Sequence, residues 1–426
     1  METSKTRTHA LGYLAGVIPA LSETFIYREI LELQRRGFVL NLYSIHCPNR
    51  ARVSADSLPL CSQTYYLFPV RLANLITAHA YFLCRKPITY FRSLWKMLTP
   101  MHHRRGGRWR TLMHWGESVM LARQMQKDGI THLHCQYIDH IASNARTVFL
   151  LTQIPYSISA HTGDIYYEKL MLPEKLEEAR FIVCCSDSSR TELLKHGLPK
   201  HASKVRVVYH GVDTRLFAPK EMELRSENLI LTIGRLDPLK GFTTLIEACG
   251  RLHKQGVVFT CEIVGEGSQR DELDTLIQKH DLKRVVFLKG AVLQENILAY
   301  YHRASIFVLP SMTKQGIPNV LMEALACGLP VVSTPLGGIP ELIDNGIDGF
   351  LVQQDNPEEL ANCLRQILQD RSLRRTIGAA GREKVCTKFD NRKTIEPLVD
   401  LLSKEGFSEM QDRVLAPHEE PKCACC

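Results

Sequence analysis

Three groups of residues have the chemical types and the spacing to meet a phosphorylated ligand. In GRLDPLKGF, Arg235 and Lys240 lie five positions apart around a proline turn, and Gly241 opens a helix. A guanidinium, an ammonium and free N–H groups at a helix start suit a diphosphate, whose leaving charge they could neutralise. In SMTKQGIPNVLMEALACGLPVVSTPLGGIPELI, residues 311 to 343, Lys314, Gln315, Gly316 and Asn319 sit at the mouth of a helix. Glu323 follows one turn inside it, and Gly337 and Gly338 precede the next helix. SAHTGDIY places His161 and Asp164 after a strand, where an imidazole suits hydrogen bonding or proton transfer near neutral pH. Taken singly, such a basic pair is more often a surface loop, and a lone histidine is more often structural. Their meaning depends on the elements that bring them together.

Those elements alternate. In the first half, strands are predicted at 9–18, 38–45, 130–136, 156–160, 181–186 and 205–208, with helices between them. In the second half they are predicted at 229–233, 260–264, 285–288, 306–309 and 331–333, again each followed by a helix. Ser22 is expected to cap the first helix, and residues 357–404 to be helical with Pro397 inside. Strand and helix alternation argues for parallel sheets, and 426 residues suit two α/β, doubly wound, Rossmann-like domains facing a central cleft. The predicted division is an N-terminal domain at 1–213 carrying an insertion at 62–115, a linker at 214–227, a second domain at 228–390, a helical segment at 391–407 and a polar tail at 408–426.

The formal charge is +8, from 53 basic and 45 acidic side chains. Its distribution says more than its sum. Between Asp56 and Glu117 no acidic residue occurs, while Arg71, Arg85, Lys86, Arg92, Lys96, Arg104, Arg105, Arg108 and Arg110 fall inside, interleaved with Tyr90, Phe91, Trp95 and Trp109. This pattern predicts helices that meet an anionic membrane surface, with aromatics at the headgroup level. No run approaches the length needed to span a bilayer, and the apolar run from Leu11 to Leu21 is read as a first strand rather than a leader. Fourteen cysteines are scattered without zinc spacing, which predicts buried free thiols in a reducing cytosol and no metal site. Cys423, Cys425 and Cys426 fall in the tail.

The ordered strings GRLDPLKGF, VGEGS, VVFLKG, IPNVLMEALACGLPVVST and GGIPELI resemble family 4 glycosyltransferases of the two-domain GT-B type, over residues 9 to 404. In the first half, PALSETFIYREI, HLHCQYIDHIA and SAHTGDIY resemble the subgroup that builds bacterial exopolysaccharides such as colanic acid or amylovoran. The resemblance implies a retaining transferase that moves a sugar from a UDP- or GDP-sugar to a lipid-linked oligosaccharide at the inner face of the cell membrane. It implies no cofactor, no metal and no nucleic-acid partner. By position, Arg235 and Lys240 match the diphosphate pair and Glu323 the glutamate on the ribose. His161 matches the histidine beside the transferred sugar, and Gly16 with the loop to Ser22 matches the segment closing over the donor. Gly316 adjoins Gln315, which stands where the family has a glutamate on the donor sugar. An amide can still hydrogen-bond but cannot act as a carboxylate nucleophile. A sugar phosphorylase or epimerase of the same fold, or a non-catalytic nucleotide-sugar-binding relative, are the other readings.

Overall fold

The computed structural model describes residues 10–20, 23–49, 53–99, 107–167, 171–197, 199–220 and 226–407. It contains two compact units: residues up to 185 with 189–208 and 396–407, and residues 186–188 with 209–395.

The first unit is built on a seven-stranded sheet, β1 (Leu11–Val17), β2 (Leu40–His46), β3 (Thr64–Tyr66), β4 (His132–Gln136), β5 (Tyr156–Ala160), β6 (Ile182–Cys184) and β7 (Val205–Val207), in the order 3-2-1-4-5-6-7. Every pairing is parallel; Leu11 stands beside both Leu40 and His132. The second unit holds β8 (Leu229–Ile233), β9 (Thr260–Val264), β10 (Val286–Gly290), β11 (Ile306–Leu309), β12 (Val331–Ser333) and β13 (Phe350–Leu351), all parallel, in the order 10-9-8-11-12-13. In each sheet the strand order reverses at one pair, β1/β4 and β8/β11. Chains leaving the carboxyl ends of such a pair diverge, and the gap between them is where doubly wound sheets bind ligands.

Several predicted boundaries move. The edge strands β3 and β13 have only three and two residues, too short to show a period, and were not expected. The first unit ends at Val208 rather than 213, because Val212 N donates to Phe389 O at 2.9 Å and Val212 and Phe217 are buried in the second core. Residues 357–404 form four helices, since Asp370 and Asp390 turn their carboxylates onto Leu373 N and Arg392 N and start new ones; Pro397 falls in the first turn of the last, Glu396–Lys404. That last helix belongs to the first unit, where Arg36 Nη2 meets Glu396 Oε1 at 2.8 Å. Cys184, Cys185 and Cys261 are buried free thiols, while Ser22, Arg104, Arg105 and the tail cysteines lie outside the described residues.

The basic stretch folds as three helices, α1 (Leu72–Arg85), α2 (Pro87–Leu98) and α3 (Gly107–Lys127). Their inner faces meet at Trp115, whose indole donates to Ser93 Oγ at 3.0 Å and lies 4.9 Å from the Tyr90 ring; His79 Nδ1 is 2.8 Å from the Tyr90 hydroxyl. Their outer faces are apolar. Leu72 is 71% exposed, Ile88 83% and Trp95 71%, with Ile76, Phe91, Trp109 and Met113 exposed as well and Arg71, Arg85, Arg92 and Arg110 among them. On α2, Ile88, Phe91 and Trp95 follow at i, i+3 and i+7, which puts them on one stripe. No helix among the described residues is long and apolar enough to cross a membrane.

Trp115 ties these three helices to one another. Trp115→Ala should cost about 3 kcal/mol, as for other buried Trp truncations, read as a lower midpoint in urea unfolding with unchanged slope.

Candidate functional site

In the second unit the site grows from the gap beside β8 and β11. After β8 the chain turns at Gly234 into Arg235, whose Nε donates to Asp237 Oδ2 at 2.6 Å. The other Asp237 oxygen accepts Leu239 N at 3.0 Å and starts the short turn Pro238–Lys240. Gly241 then takes a left-handed φ of +68°, and a Cβ there would stand 2.0 Å from Pro310 O, so glycine is required for the chain to pass β11. The helix Phe242–Lys254 follows without a side-chain cap, leaving its first N–H groups available to an anion.

From the other side of the gap, the loop after β11 presents Gln315. Its Oε1 accepts from Lys240 Nζ at 2.9 Å, and its amide nitrogen donates to Ser311 Oγ. Gly337 and Gly338 hold this loop down: Gly338 N donates to Gln315 O at 2.9 Å, and a Cβ on Gly337 would fall 2.0 Å from that oxygen. A Cβ on Gly338 would stand 3.2 Å from the carbonyl carbon of Gly316, which seats Gly316 in the same crossing. Lys240 is half-buried, and burial holds its ammonium below the usual lysine range, with Asp237 opposing and Arg235 reinforcing that shift. The structure therefore brings Arg235, Lys240 and Gln315 together, two cations against one carboxylate. Glu323 lies deeper in the helix Asn319–Ala326, 3% exposed, with Oε2 accepting the Tyr301 hydroxyl at 2.9 Å. Tyr301 thereby orients the carboxylate.

In the first unit, His161 follows β5 and is packed between two rings, Phe25 at 4.8 Å and Tyr137 at 4.5 Å. Tyr137 follows β4 with φ of +76°, a strained conformation for a tyrosine and one found at functional sites. His161 Nε2 lies 2.9 Å from Gln136 Oε1, and Gln136 Nε2 donates to Glu29 Oε1 at 2.8 Å and to the Tyr13 hydroxyl. Asp164 turns instead to Ile138 N, and burial pushes its carboxyl well above the usual range. Lys175, fully buried, donates to Ile138 O and Asp139 O at 2.6 Å each and fixes the same bend. Gly16 lies on β1 with its carbonyl 3.4 Å from Ser44 Oγ; it joins β2 and not the histidine group.

Gln136, Tyr137, Glu29 and Tyr13, which build the surroundings of His161, were not expected there, although a signal was present. Central parallel strands are normally apolar throughout, yet HLHCQ places His132, His134 and Gln136 on one face, opposite Ser157, Ser159 and His161. The structure closes this into a ladder: His132 and His134 both bond Ser157 Oγ, at 2.9 and 2.8 Å, and His134 reaches Ser159 Oγ at 3.0 Å. Burial pushes both histidines down to about 3, so they stay neutral.

Two expectations follow from this geometry. In Gln315→Glu the carboxylate would pair with Lys240 and oppose an anion bound there, so calorimetry with pyrophosphate as the probe should show affinity lower by about tenfold, or about 1.4 kcal/mol; unchanged affinity would place the anion elsewhere. Burial raises the Glu29 carboxyl from 4.5 to about 7, so the folded chain holds its proton where the unfolded chain has lost it. The stability contributed by this group is present at acid pH and lost as pH rises through that window. Glu29→Gln removes the loss, so its melting temperature relative to wild type should climb between about pH 4.5 and 7 and then level; a flat difference contradicts the assignment.

Comparison with known proteins agrees with this geometry. The model for "Glycosyltransferase Family 4" matches residues 22–216, and that for "Glycosyl transferases group 1" matches 215–384. The amylovoran biosynthesis glycosyltransferase AmsK of Erwinia amylovora is 29% identical over 92% of this chain and 99% of its own. The putative colanic acid biosynthesis glycosyltransferase WcaL of Escherichia coli K12 is 32% identical over 68% and 69%. Among solved structures, Anabaena Alr3699/HepE with UDP and glucose superposes at TM-score 0.69 over 93% of this chain and all of its own, with 17% identity. Sucrose-phosphate synthase of Thermosynechococcus elongatus gives 0.71 over 93% and 99%, with 21% identity. These neighbours share the GT-B fold of two Rossmann-like domains. The chain is a glycosyltransferase and belongs to glycosyltransferase family 4.

Proposed function

We propose that this enzyme transfers a sugar, with retention of configuration, from a UDP- or GDP-sugar to a lipid-linked oligosaccharide in bacterial exopolysaccharide assembly, at the inner face of the cell membrane. The observation that carries the donor assignment is the half-buried Lys240 ammonium bonded to a neutral amide beside Arg235 and an uncapped helix start. A diphosphate supplies the charge this group lacks, and its departure from the anomeric carbon is stabilised by the same cations, which take the place of a divalent metal. Glu323 takes the ribose hydroxyls. His161, in the first unit, supplies a hydrogen-bonding imidazole. With an amide at 315 no covalent glycosyl-enzyme forms there. The acceptor oxygen instead bonds to the anomeric carbon on the face from which the diphosphate leaves, and its proton passes to the departing phosphate oxygen.

HepE, solved with UDP and glucose, and the amylovoran and colanic acid relatives support the donor class and the pathway. The outward apolar stripes of α1, α2 and α3, set among arginines, support a lipid-borne acceptor. Interfacial helices gain from burying such side chains at the headgroup boundary and from attraction to anionic lipid.

The test uses vesicles carrying a lipid-linked oligosaccharide and a panel of UDP- and GDP-sugars. One donor should release nucleoside diphosphate only when acceptor is present, and chelation of divalent ions should leave the rate within about twofold. Release without acceptor, or with phosphate as acceptor, would overturn the reading. Flotation with anionic vesicles should weaken with salt and fall further in Ile88→Ser/Trp95→Ser; binding unaffected by either change contradicts the membrane face.

A further inference from the structure

Glu29 lies in the string PALSETFIYREI, and its carboxylate terminates a hydrogen-bond chain that reaches His161. Glu29 sits on the helix Thr24–Arg35, which packs its inner face on the first sheet. The Tyr13 hydroxyl donates to Glu29 Oε1 at 2.7 Å, and Gln136 Nε2 donates to the same oxygen at 2.8 Å and to the tyrosine oxygen. Above about pH 7, where Glu29 has lost its proton, its carboxylate can only accept, and a tyrosine that has already donated its proton can only accept from a further partner. The Gln136 atom facing both must therefore be its nitrogen. That leaves Gln136 Oε1 toward His161 Nε2, 2.9 Å away, and an amide oxygen can bond that nitrogen only if the nitrogen carries hydrogen.

We propose that Glu29 is a positioning residue that acts through Gln136: with Tyr13 it fixes the Gln136 amide, and the amide holds His161 as the Nε2–H tautomer with Nδ1 as the acceptor of the ring. This rests on the reading of His161 as a site residue. The rings of Phe25 and Tyr137 fix the plane of the imidazole, while the Glu29 chain decides which edge of it donates. The neighbouring His134 Nε2, 3.9 Å from Glu29 Oε1, is engaged with Ser159 and so does not compete for Gln136.

Ring 15N spectra of the full chain, taken at about pH 8 without donor or acceptor, test this directly, with the His161 signals assigned by their loss in His161→Asn. Wild type and Glu29→Gln, which keeps an accepting oxygen, should show Nε2 as the protonated nitrogen. Glu29→Leu and Gln136→Leu should show a mixture with Nδ1–H, and Tyr13→Phe, a milder change should Glu29→Leu not fold, a partial shift. Unshifted signals in these variants overturn the proposal. In transfer assays Glu29→Leu and Gln136→Leu should each lower kcat by about tenfold with donor KM within about twofold, and the double variant should be no slower than Gln136→Leu. Additive losses would mean that Glu29 acts outside Gln136 and would also overturn it. If His161→Asn keeps full activity, the role of His161 in transfer fails, while the spectra still decide the tautomer.

Discussion

A half-buried ammonium bonded to an amide is the constraint on which the second unit turns. Lys240 gives up water to stand against Gln315, and the amide returns a hydrogen bond but no charge. Everything nearby serves that arrangement: Asp237 bends the chain after β8, Gly241 lets it pass Pro310, Ser311 fixes the amide, and Gly337 and Gly338 clamp the loop that carries it. Two cations beside one carboxylate leave a net positive charge that suits an anion, and the proposed donor would supply that anion as its leaving diphosphate.

The first unit solves a different problem. Its two central strands are buried, yet one face of each is polar, and burial of unbonded polar groups is costly. Serines and neutral histidines therefore bond one another along the sheet, and next to them Gln136 joins His161 to Glu29 and Tyr13. Outside this sheet, α1, α2 and α3 turn aromatic and basic residues outward, so one domain holds both a rigid polar interior and an apolar outer surface.

Much of this was legible in the amino-acid sequence. The strands 156–160, 229–233, 260–264, 306–309 and 331–333 stand where their β-branched runs place them, because central parallel strands are short, apolar and bounded by glycine or proline. Arg235, Lys240 and Gln315 were legible too, since their loops follow strands flanking the reversal of the sheet. Three things were not. The edge strands are too short for a period, and the capping carboxylates of Asp370 and Asp390 interrupt a helical pattern that reads as continuous. The partners of His161 come from β1, the helix after it and β4, residues 13, 29 and 136, and only folding makes them neighbours. The alternation in HLHCQ was visible, but its meaning depended on knowing that both faces of that strand are buried.

The amide at 315 makes the stereochemical course the most direct measure of the account. With a donor of known anomeric configuration and the unmodified enzyme, NMR of the product linkage should show that configuration retained, as same-face transfer assisted by the departing diphosphate requires. An inverted linkage would contradict it, because attack would then come from the opposite face, where the arrangement of Lys240, Arg235 and Gln315 offers no role.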